Sequence, residues 1–71
     1  MPESLPALRQ HVETCLIANG IDVRARVAYE EAGKATLYFI GCVLRDEDVS
    51  IEAKQDVLAI QRAFLVTKVA A

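Results

Sequence analysis

His11 and Cys15 stand four residues apart. On a helix that spacing puts an imidazole and a thiol on the same flank. Such a pair can donate two metal ligands or act as a nucleophile and its base. A metal site needs a third ligand, and Cys42 is the available residue. The register derived below places Cys42 on the sheet face turned away from this helix, so the three do not converge in one subunit. Cys15 then reads as a core filler and His11 as a rim residue, and no metal or other cofactor is expected. Asp46, Glu47 and Asp48 form a short acidic run. A calcium loop needs ligands at alternating positions, a central glycine and a distant glutamate, and that spacing is missing here. The run reads instead as charge compensation at the start of a helix.

The other catalytic patterns are weak. Gly20, Gly33 and Gly41 are isolated, so no glycine-rich phosphate loop exists. The single histidine assembles no Ser/His/Asp set. No two carboxylates share an apolar setting that would separate their pKa values. A small core leaves little room for a water-excluding pocket. The reading is therefore of a protein that is not an enzyme.

The chain has 71 residues, about half the usual domain length, and is read as one domain over 1–71. Hydrophobic residues make up 54% and charged residues 25%, a globular balance. Lys and Arg number 8 against 10 Asp and Glu, for a net charge of −2, so bulk basicity gives no argument for nucleic acid. The two cysteines are too few for a secreted disulfide scaffold. Met1-Pro2-Glu3-Ser4 does not resemble a signal peptide. The longest uncharged run, Ala35 to Leu44, falls well short of the ~18 residues of a membrane span. These features lead to the expectation of a cytoplasmic protein with no membrane partner. A domain this short buries only about 60% of its unfolded surface, which makes self-association the expected source of extra burial.

The elements follow from period. Leu5, Leu8, Val12, Cys15 and Leu16 keep a helical rhythm, with Ser4 as N-cap and Asn19-Gly20 as the stop. Ile21, Val23, Ala25, Val27 and Tyr29 alternate with polar positions and predict a strand. Glu31-Ala32-Gly33 predicts a hairpin turn. Lys34 to Leu44 predicts a second strand, apolar on both faces. Asp48 or Ser50 caps a last helix in which Ala53, Val57, Ile60 and Phe64 form one stripe. No Gly or Pro interrupts the chain after Val49, which favours helix to about Thr67. The fold expected is α+β: an α-β-β-α chain with an antiparallel hairpin flanked by two helices. The strand-loving residues Leu65, Val66, Thr67 and Val69 leave α-β-β-α-β, with a three-stranded sheet, as the alternative.

In that alternative the stretch Leu37 to Val43, with Gly41 late in the second strand and a helix after Asp48, resembles the small BON-type (ring-building) modules of bacterial envelope proteins. The resemblance implies an assembly module. The glycine such modules carry between last helix and last strand is absent, and no family is assigned.

With Glu30 opposite Lys34, the outer hairpin face collects Arg24, Arg26, Tyr38, Ile40 and Cys42. Three readings of this strip stay open. It binds a protein partner or second subunit, it holds single-stranded nucleic acid with Tyr38 stacking, or arginine stems simply cover it. A second stripe, Ile51, Leu58 and Leu65, repeats every seven residues on the last helix and is read as a dimer interface. Glu30, Glu31, Asp46, Glu47 and Asp48 form an acidic surface suited to a basic partner. The function expected is a non-catalytic protein–protein interaction module, a homodimeric adaptor or a stoichiometric inhibitor of a larger assembly. Single-stranded nucleic-acid binding and a BON-like assembly role are the alternatives.

Overall fold

The computed structural model describes residues 4–24 and 36–70, apart from the side chains of 67–70. Among these residues the chain forms three helices and no strand: α1 (Leu5–Ala18), α2 (Thr36–Arg45) and α3 (Ile51–Ala70). α1 touches both other helices, and α2 and α3 touch each other, so the three enclose one core. Its buried members are Leu8, Val12 and Leu16 from α1, Phe39, Ile40 and Val43 from α2, Ala53, Val57 and Phe64 from α3, and Val49 from the loop before α3.

The ends of α1 follow its sequence signals. Ser4 Oγ accepts the Ala7 N–H at 3.3 Å, and Pro6 occupies the first turn, where a missing donor costs nothing. At the other end Gly20 takes the left-handed conformation with φ of 75°. Its N–H reaches the Ile17 carbonyl at 3.0 Å, and the Ile21 N–H reaches the Leu16 carbonyl at 2.9 Å. That pair of bonds is the Schellman closure, and Ile21 packs back on the core as the motif requires. α3 is capped by Ser50, whose Oγ accepts the Ala53 N–H at 3.2 Å. Asp48 does not cap it; its own N–H is held by Asp46 Oδ1 at 2.9 Å inside the loop.

The α+β expectation is overturned. Residues 34–44, expected as the second strand, are helical from Thr36 onward. Thr36, Phe39, Ile40 and Val43 are the buried positions, spaced three, one and three apart, and only a helix brings that set to one side. A continuous apolar run reads equally as buried strand or helix, and here tertiary burial decided. Ile21 to Arg24 form no strand either, while Ala25 to Glu30 and the turn at Gly33 lie outside the described residues. Among the described residues no hairpin or three-stranded sheet remains, and with them goes the basis of the BON resemblance. The last element is helix through Ala70, so its strand-loving residues yielded to the uninterrupted helical frame.

Two glycines should respond oppositely to substitution. Gly20→Ala forces an L side chain into the left-handed region and should cost ~1 kcal/mol or more. Gly41 sits inside α2, where an added Cβ meets only the Arg45 guanidinium at 3.6 Å. Gly41→Ala should therefore stabilise by up to ~1 kcal/mol through helix propensity. Phe39→Ala, which empties a fully buried ring site, should cost about 3–5 kcal/mol. Urea denaturation of the three variants checks the signs.

Candidate interaction surface

α3 divides into two sides. Ala53, Val57 and Phe64 face the core. Seven residues make almost two turns, so Ile51, Leu58 and Leu65 return to nearly the same angle, about a third of a turn away from that core side. They stay in water: Ile51 is 71% exposed, Leu58 39% and Leu65 47%. Val66, 62% exposed, broadens the patch beyond what the sequence reading singled out. Its signal was the eight-residue step from Leu58, hidden by treating Leu65 to Val69 as strand-loving.

The strip expected on the hairpin does not exist as one surface. Tyr38, Ile40 and Cys42 share a side only if the segment is extended. In α2, Ile40 turns inward and is fully buried, which removes it from any binding face. Tyr38 and Cys42 remain together outside, with Arg45 Nη2 at 4.0 Å from Cys42 Sγ. Arg24 is exposed in the segment after α1, its N–H held by Asp22 Oδ1 at 3.0 Å. Arg26, Glu30 and Glu31 lie outside the described residues. The remaining acidic positions stand in the α2–α3 loop, with Glu47 and Asp48 exposed and Asp46 half-buried. Ile17 and Leu37 are also exposed, each on a different helix from the α3 patch.

His11 and Cys15 stay four residues apart on α1 but differ in exposure. His11 is exposed and borders a shallow depression with Ala7, Gln10 and Thr14. Cys15 faces α3 across Asn19, whose Nδ2 donates to the Cys15 carbonyl at 2.9 Å and to Asp56 Oδ2 at 3.4 Å. Burial pushes the Cys15 thiol above its ordinary 9.0, and the Asp56 charge adds to the rise. The Asn19 amide, 3.8 Å from the sulfur, pulls the other way. Both cysteines are free thiols, and no group of three metal-binding side chains comes together among the described residues. On the opposite flank of α1, the Arg9 guanidinium carbon lies 5.8 Å from the Phe39 ring centroid, and its Nε is 3.2 Å from Glu13 Oε1.

Compared with known proteins, the chain matches no family model, no curated protein and no solved structure. Among the described residues, no helix is long and apolar enough to cross a membrane.

The Cys15 environment sets a pH dependence. Well below pH 9.0 the thiol is protonated in both folded and unfolded chains and contributes almost no slope. Above it the unfolded chain ionises first, so stability should fall as pH climbs toward the higher folded value. Cys15→Ser should lack that alkaline loss, read from urea midpoints. Asp56→Asn should also speed alkylation of Cys15 at a fixed pH below 9, followed by mass spectrometry.

Proposed function

We propose that the protein is a non-catalytic protein–protein interaction module, an adaptor or a stoichiometric inhibitor, whose contact surface is the outer side of α3. The exposure of Ile51, Leu58, Leu65 and Val66 along one side of a single rigid element carries this reading. Single exposed apolar residues are ordinary, whereas several repeated along one side of a helix favour a surface that another molecule covers. A helix presenting apolar anchors at such spacing fits a helix or groove on a partner. The acidic loop at 46–48 adjoins the Ile51 end of the patch, so a basic partner surface would be drawn to that end. The two free thiols fit a reducing compartment, consistent with action in the cytoplasm.

A photo-crosslinking amino acid placed at Leu58 tests the reading in the cells that make the protein. Adducts to another protein chain should form at Leu58, and not at exposed Gln10 on α1. Equal labelling at both positions, or no protein adduct at Leu58, would remove it.

A further inference from the structure

Asn19 is the only asparagine of the chain, and a glycine follows it. In that dipeptide the backbone nitrogen of the second residue attacks the side-chain amide of the first with least obstruction, because glycine has no Cβ. The five-membered ring that forms needs the Gly20 nitrogen to eclipse Asn19 Cβ. In the folded chain Asn19 has φ of −93° and ψ of 8°, which holds that nitrogen about a third of a turn away from Cβ. The Gly20 N–H donates to the Ile17 carbonyl at 3.0 Å, and the Ile21 N–H to the Leu16 carbonyl at 2.9 Å. The Asn19 amide nitrogen donates to the Cys15 carbonyl at 2.9 Å and to Asp56 Oδ2 at 3.4 Å. Both reacting groups are thus kept out of the attack geometry by the bonds that end α1 and tie it to α3.

We propose that Asn19-Gly20 is a guarded deamidation site, which reacts only when the closure of α1 opens and whose product unties α1 from α3. In the reaction the Gly20 nitrogen gives up its proton and bonds to Asn19 Cγ. The Cγ–Nδ2 bond breaks, and ammonia leaves with a proton in exchange. Water then adds to one carbonyl of the cyclic imide and opens the ring. Opening on one side leaves aspartate at position 19; opening on the other leaves isoaspartate, whose chain runs through Cβ. Either product replaces a donor by a carboxylate, which accepts hydrogen bonds and donates none. It then faces the Cys15 carbonyl and the Asp56 carboxylate from the negative end of α1, so the tie across to α3 becomes a like-charge contact. The extra backbone atom of isoaspartate also misplaces the Gly20 and Ile21 donors. The change is one-way in water and accumulates with the age of each molecule. It is independent of what covers the outer side of α3.

The test holds the intact chain at mildly alkaline pH, with and without urea, and follows the peptide containing position 19 by mass spectrometry. Asn19 should convert about ten-fold or more slowly in the folded chain than in urea, since reaction waits on local opening. Asp56 is exposed, and Asp56→Ala, with helicity checked by circular dichroism, removes one tether of the amide. It should speed the folded reaction about two- to five-fold and leave the reaction in urea unchanged. Equal rates in the folded and unfolded chains, no conversion in urea, or a folded rate indifferent to Asp56→Ala would each overturn the guarded site. Asn19→Asp reproduces the aspartate product. It should lower the urea midpoint at neutral pH, and lower it less when Asp56→Ala is also present. Equal losses in the two backgrounds would overturn the untying of α3.

Discussion

A helix can bury only the side that its neighbours reach. α3 runs twenty residues, more than five turns, and is packed by α1 and α2 from one direction. Ala53, Val57 and Phe64 fill that direction completely. The remaining circumference is left to solvent, and in this chain it is not uniformly polar. Burying a Leu or Ile side chain is worth about 1.5–3 kcal/mol. The exposed parts of Ile51, Leu58 and Leu65 are therefore stabilisation that the isolated chain does not collect. Everything proposed about function follows from that uneven division of one helix.

What fixes which side faces out is the rotation of α3 about its own axis. A turn of one residue, about 100°, would carry Leu58 toward the core and push Val57 out of it. Two features oppose that slip. Val57 and Phe64 are seven residues apart and Ala53 lies four before Val57, so any rotation unseats all three together. Asn19, itself placed by the glycine closure of α1, reaches across to Asp56 and pins the flank of α3 beside Cys15. On the other flank of α1, Arg9 lies over Phe39 and steadies the α1–α2 contact by a cation–π interaction of a few tenths to about one kcal/mol. The bonds that end α1 thus act at a distance on the surface that α3 presents.

The parts of this arrangement that could be read from the chain are those with two agreeing signals. α1 has a 3-4 apolar rhythm and also Ser4, Pro6 and Gly20 as punctuation, and the helix ends where they place it. α3 has its rhythm and a Ser50 cap, with no breaker for twenty residues. α2 has neither a cap signal nor a polar side to its apolar run. Leu37, Tyr38 and Cys42 are as apolar as the buried Phe39, Ile40 and Val43, so period alone could not separate strand from helix. The binding strip built on that strand fell with it, because Tyr38 and Ile40 lie on opposite sides of a helix. The seven-residue stripe survived as an exposed face because it depended only on α3 being helical.

The proposed function requires that a partner cover the open side of α3. The accessibility of its methyl groups to a paramagnetic cosolute, followed by NMR as lysate of the cells that make the protein is added, measures that most directly. The account predicts that Ile51, Leu58 and Leu65 become progressively shielded while Ile17 and Leu37, comparably exposed in the single chain, do not change. Constant accessibility of the α3 methyls at every lysate addition, or equal shielding of all five residues, would contradict it.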